Sequence, residues 1–262
     1  MNEPTPRSLP RGLTLRAMVP NAITAAALCM GLTGIRFAIM GDFEKSIQAV
    51  IVAGMLDGID GRIARLLKAQ SKFGAELDSL ADNVSFGVAP ALILFMWSLQ
   101  DLPRIGWFAA LAFAVCMALR LARFNARIEL PDEPRKAAGF LTGVPAPVGA
   151  GLAFLPIYLW LETGQTLFRA PLVVGIWLVI VAFLLISAVP TLSWGKLRPR
   201  KHVRLEVIAF FGLIGAALLT EPWWTLIGIS VVYLAMLPVA WMMYARVRRQ
   251  RADRPLPAPD AA

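Results

Sequence analysis

Eight apolar stretches, each close to the length of a bilayer-spanning helix, recur along this chain at about residues 18–40, 46–67, 75–99, 105–126, 145–162, 170–190, 204–220 and 222–245. Inside hydrocarbon a backbone must satisfy its own polar groups, so only helices and closed barrels can cross. These runs lack the alternation of a lipid-facing barrel strand, and the expected class is therefore an all-α polytopic bundle of about eight transmembrane helices. Only Thr220, Glu221 and Pro222 separate the last two. The expected organisation is a basic N-terminal segment over 1–17, a membrane domain over 18–245 and a basic tail over 246–262. No small-residue cleavage site follows the basic N-terminus, so no removable signal peptide is expected.

The basic residues test this layout. With an even number of crossings both termini share a side, which then receives 22 of the 26 lysines and arginines, leaving Arg36, Lys45, Arg104 and Arg169 for the other. That bias predicts cytoplasmic termini. A net charge of +9 in a soluble chain would suggest nucleic acid, but with 58% hydrophobic residues it reads as loop charge at a membrane, and no nucleic-acid partner is expected. Cys29 and Cys116 lie inside apolar runs as small core residues, and the lone His202 gives no Cys/His metal spacing. Trp97, Trp107, Trp223 and Trp224 are expected as interfacial anchors.

One stretch breaks the apolar pattern. Met55 to Pro90 carries Asp57, Asp60, Asp78 and Asp82 in and beside segments that otherwise suit hydrocarbon. Asp57 and Asp60 are three apart and Asp78 and Asp82 four apart, so each pair shares a helix face. Two helices meeting through those faces would gather four carboxylates, whose repulsion and desolvation call for cations or protons. Acids at that depth cost several kcal/mol, of order ~3, unless they face a polar cavity or an ion. Hard oxygen donors favour Mg²⁺, Mn²⁺ or Ca²⁺ over zinc. Gly61 and Gly74 remove side chains where polar groups converge, and Arg65 lies one turn beyond the acids, able to neutralise them or hold a phosphate.

The run Asp57-Gly-Ile-Asp60-Gly61-Arg-Ile-Ala64-Arg65, followed by Gly74-Ala-Glu-Leu-Asp78-Ser-Leu-Ala-Asp82, resembles the signature of the CDP-alcohol phosphatidyltransferases at every fixed position. The resemblance implies that a CDP-linked lipid binds with its diphosphate against Mg²⁺ or Mn²⁺, an alcohol attacks the lipid-side phosphorus, and CMP leaves. It further implies that Asp57, Asp60, Asp78 and Asp82 meet the metal, with Asp82 as the base, and that Gly61, Ala64, Arg65 and Gly74 shape the nucleotide and diphosphate pocket. The resemblance also implies a homodimer in a bacterial inner membrane, and the charge bias opens the aspartate stretch to the cytoplasm.

The acceptor is read from looser patterns. Asn83-Val-Ser85-Phe-Gly87-Val-Ala-Pro90, Pro20-Asn21-Ala-Ile-Thr24, Arg120-Leu-Ala-Arg123-Phe-Asn125 and Gly139-Phe140-Leu-Thr-Gly143-Val-Pro145 resemble the bacterial branch of that family that uses L-serine with CDP-diacylglycerol. Asn21 and Thr24 are then expected on the CDP-lipid, and Ser85, Arg120, Arg123 and Asn125 on acceptor or phosphate. Arginines suit a serine carboxylate, although they equally suit positive-inside anchoring. Three rivals remain open on sequence: a sister enzyme using glycerol 3-phosphate, inositol phosphate or choline; a divalent-cation transporter; and a non-catalytic lipid-binding protein. A choline site would want an aromatic box, and none of Tyr158, Tyr233 and Tyr244 lies in the signature.

Overall fold

The computed structural model of this chain describes residues 15–128, 140–187, 190–192 and 204–252. The N-terminal segment through residue 14, Gly139, His202 and the tail beyond residue 252 lie outside the described residues. The helices gather into two compact units that divide between Ile93 and Leu94.

In the first unit, α1 (Leu15–Ile39) packs along α2 (Phe43–Leu66), and α3 (Lys72–Asp82) packs against α1. Small residues set these contacts, as expected where lipid tails are as apolar as leucine and close packing must hold helices together. A Cβ on Gly34 would stand 3.0 Å from the Ser46 carbonyl oxygen, and the Ser46 hydroxyl donates to the Gly34 carbonyl at 2.7 Å. Asp42 caps α2, accepting from the Lys45 N–H at 3.1 Å and pairing with its ammonium at 2.7 Å. That hydrogen-bonded ammonium holds the Asp42 carboxyl below the usual carboxylate range.

The helix α2 stops in a Schellman-type turn: the Ala69 N–H reaches the Ala64 carbonyl at 2.9 Å, with Lys68 in the left-handed region at φ 50°. Ser71 then caps α3, accepting from the Gly74 N–H at 3.0 Å. Directly after Asp82 the chain runs as a π-helix, Asn83–Val88, before α4 (Ala89–Trp97). The wider i→i+5 turn shifts the face carried by α3 relative to α4.

In the second unit, a 3₁₀ turn (Leu99–Asp101) leads to α5 (Pro103–Ile128), which packs on α8 (Pro171–Ile186). Between them come α6 (Ala146–Ala153), α7 (Leu155–Thr163) and a second 3₁₀ turn (Thr166–Arg169); α9 (Arg204–Thr220) and α10 (Pro222–Ala252) follow. The all-helical expectation holds apart from one ribbon, where β1 (Phe140–Thr142) runs antiparallel to β2 (Pro190–Leu192) with Leu141 opposite Thr191. Arg169 ties the two 3₁₀ turns together. Its Nε donates to the Trp97 carbonyl at 3.2 Å, the Ser98 hydroxyl donates to its own carbonyl at 2.7 Å, and its guanidinium lies 5.4 Å from the Trp160 ring. Trp97 is accordingly a core residue, 1% exposed, rather than the lipid-facing anchor expected from sequence; Trp107 and Trp224 are exposed.

Each of the eight apolar segments contains helix among the described residues. Among the described residues, four stretches are long and apolar enough to cross a membrane: Met18–Ile39, Lys72–Trp97, Pro103–Ala126 and Pro222–Met243. The pair α6 and α7, bent by 41°, makes a fifth if taken as one crossing. The bend is where Pro156 enters near the start of α7, so the segment expected as one span over 145–162 is broken. Helix α2 is long enough but carries Glu44, Lys45, Asp57, Asp60, Arg62 and Arg65, while α8 and α9 have 16 and 17 residues. The chain is a polytopic helical membrane protein, and by these criteria its described residues hold four such helices, or five with the bent pair.

Candidate active site

The first unit gathers carboxylates from two helices. Asp57 and Asp60 project from one face of α2, and Asp78 comes from α3; one oxygen from each lies within 4.8 Å of the others. Asp60 is the most enclosed, at 3% exposure, while Asp57, Asp78 and Asp82 are half-buried. Asp82 follows Asp78 by one helical turn at the end of α3, on the same helix face. Asp57, Asp60 and Asp78 therefore converge.

The cluster is oriented from α1. The Thr24 hydroxyl, itself 5% exposed, donates to Asp60 Oδ2 at 2.6 Å. Three carboxylate oxygens within 4.8 Å of one another offer a hard-oxygen donor set for a divalent cation. The donor set, all hard carboxylate oxygen, fits Mg²⁺ or Mn²⁺ equally.

Open surface and polar atoms without partners, one donor and one acceptor, occur in the same unit. A Cβ on Gly61 would meet nothing within 4 Å, so the surface next to Asp60 is open there. Ala64 is half-buried and Arg65 exposed, one turn further along α2. A Cβ on Gly74 would lie 2.9 Å from Asn21 Oδ1, so Gly74 admits the Asn21 side chain. The Asn21 Nδ2 and Asn83 Oδ1 atoms are buried without a hydrogen-bond partner. Buried polar atoms left in this state are costly, of order ~1–3 kcal/mol each, and mark a place for a polar ligand or water.

The other expected site residues are held differently. Ser85, 1% exposed in the π-helix, donates to the Ala27 carbonyl at 3.4 Å, and Gly31 leaves room for its approach. Its hydroxyl thus joins helix packing. In the second unit, the Arg120 Nε donates to the Val144 carbonyl, and an Arg123 Nη2 donates to the Ile186 carbonyl at 2.7 Å at the end of α8. Asn125 is half-buried on α5. The two arginines therefore have backbone partners that the sequence motif did not reveal. Gly143, at φ 79°, lies where a Cβ would press on the Leu185 and Ser187 carbonyls at 3.0 and 3.1 Å, so its place in the motif has a packing reason.

The chain matches the family model described as CDP-alcohol phosphatidyltransferase over residues 17–194, and that described as CDP-alcohol phosphatidyltransferase 2 over residues 202–238. It is 37% identical over 223 residues to a protein of Mycobacterium leprae named CDP-diacylglycerol–serine O-phosphatidyltransferase, covering 85% of this chain and 74% of the relative. A protein of Mycobacterium bovis with the same name is 35% identical over 92% of this chain and 82% of its own. One of Helicobacter pylori strain J99, again so named, is 34% identical over 75% of this chain and 81% of its own.

Proposed function

The chain belongs to the CDP-alcohol phosphatidyltransferase family, and from that premise we propose that it transfers a phosphatidyl group from CDP-diacylglycerol to the hydroxyl of L-serine, giving phosphatidylserine and CMP. One observation carries the reading: carboxylates of α2 and α3 converge in a chain similar over most of its length to enzymes named for this reaction.

The chemistry follows from the side chains. Asp57, Asp60 and Asp78 would hold Mg²⁺ or Mn²⁺, with Thr24 keeping the Asp60 carboxylate turned toward the cluster. A bound divalent cation supplies charge neutralisation for the diphosphate and for the departing CMP. Asp82 accepts the serine hydroxyl proton at a carboxylate oxygen as the serine oxygen bonds to the lipid-side phosphorus and the bond to CMP breaks. The open surface at Gly61 and Ala64 leaves room for the nucleotide, Arg65 offers positive charge to the diphosphate, and Asn21, seated against Gly74, offers an unpaired amide N–H. Arg120, Arg123, Ser85 and Asn125 are the acceptor-side residues in this reading.

The proposal extends to the whole chain: a membrane domain over 18–245 with eight crossings, basic segments 1–17 and 246–262 in the cytoplasm, a homodimer, and an active site facing the cytoplasm from the bacterial inner membrane. The Asp82→Asn variant tests the chemical core. It is expected to lose at least about a hundred-fold in turnover, the scale of a general base, while retaining CDP binding measured by calorimetry. Near-normal turnover would remove Asp82 from the base role.

A further inference from the structure

The second unit carries an apolar groove of about 340 Å³ between α5 and α8, remote in sequence from the aspartate cluster. Its walls are the exposed side chains of Ile105 and Phe108 on one side and Ile176 and Phe183 on the other, and its floor includes Gly106 and Gly175. Along α8 it runs from Leu172 to Phe183, about 17 Å at ~1.5 Å per residue. That is close to one leaflet of a ~30 Å hydrocarbon core. One end opens at Leu102 and Pro171, where α5 and α8 begin.

Two arginines flank that end along the chain, Arg104 two residues after Leu102 and Arg169 two residues before Pro171. Arg104 is exposed and one helical turn above Phe108, on the same side of α5. Arg169, two residues before Pro171, is exposed and held in place over Trp160 with its Nε on the Trp97 carbonyl. Neither has a carboxylate partner among the described residues. They are also two of the four basic residues that the charge pattern leaves on their side of the membrane.

We propose that this groove holds one acyl chain of an anionic phospholipid whose phosphate meets Arg104 and Arg169. The walls match a hydrocarbon chain in length and polarity, and the arginines match the charge at its head. A second copy of the protein fits less well. Symmetric docking through the groove would bring both copies' Arg104 side chains to the same membrane edge without a counter-charge.

The test is native mass spectrometry on the full chain in detergent, offered phosphatidylglycerol and phosphatidylcholine separately. The unaltered protein is expected to retain one phosphatidylglycerol with a preference of roughly ten-fold over phosphatidylcholine, the scale of one to two interfacial arginines. Arg104→Gln is expected to lose most of that preference, and Ile176→Trp, which fills the groove, to lose retention of both lipids. Arg104 is exposed, so its variant remains informative if the tryptophan disturbs folding. Equal retention of the two lipids by the unaltered protein would overturn the proposal, as would a preference unchanged in Arg104→Gln. Disulfide cross-linking between copies through a cysteine at position 176 would assign the groove to a second copy instead.

Discussion

Thr24 has one hydroxyl proton and two acceptors within range, the Pro20 carbonyl at 3.1 Å and Asp60 Oδ2 at 2.6 Å. The shorter, charge-assisted contact takes the proton, so Thr24 acts on the acid cluster through Asp60. The sequence expectation places Thr24 on the CDP-lipid; in the fold its hydroxyl meets Asp60, a partner that a motif does not name. Thr24→Val keeps the shape and removes the donor. It is expected to raise the divalent-cation concentration for half-maximal activity by about 10–100-fold, the usual effect of losing a group that orients a metal ligand. Activity should recover at saturating cation. An unchanged cation titration would mean that Asp60 is held without Thr24. The aspartates themselves were legible, since acids are rare in apolar runs and their spacing selects helix faces. The backbone partners of Arg120 and Arg123 were not, because the Val144 and Ile186 carbonyls are brought to them only by folding.

The helices were legible for a plain reason: hydropathy over about twenty residues is a composition property. Their interruptions depend on hydrogen-bond register, which composition does not carry. The π-helix after Asp82 has no residue that demands it, and β1 meets β2 across some fifty residues with only three in each strand. The break between α6 and α7 was more accessible, since Pro156 marks it. The end of α2 offers a test of local strain. Lys68 occupies the left-handed position, φ 50°, that glycine normally takes in such a turn. Lys68→Gly removes the Cβ conflict and is expected to stabilise the protein by up to ~1 kcal/mol, seen as a rise in thermal midpoint in detergent. A lower midpoint would show that the lysine side chain has a stabilising contact outweighing the strain.

Across the chain, the proposed arrangement of eight crossings puts the basic loops and both termini on one side. Single cysteines introduced at residues 8 and 250, in a background with Cys29 and Cys116 replaced by serine, are expected to react with an impermeant maleimide only in inside-out vesicles. A cysteine at residue 101 should react only in right-side-out vesicles. Labelling of residues 8 and 250 from opposite sides would require an odd number of crossings. The central claim, serine as acceptor at a metal-dependent aspartate site, is tested most directly by CMP release. Purified protein would receive CDP-diacylglycerol, Mg²⁺ or Mn²⁺, and separately serine, glycerol 3-phosphate, inositol phosphate or choline, with the lipid product identified by mass. Phosphatidylserine formed with serine alone, and lost on adding chelator, is the expected result. Product from another acceptor in place of serine, or turnover that survives removal of divalent cations, would contradict the account.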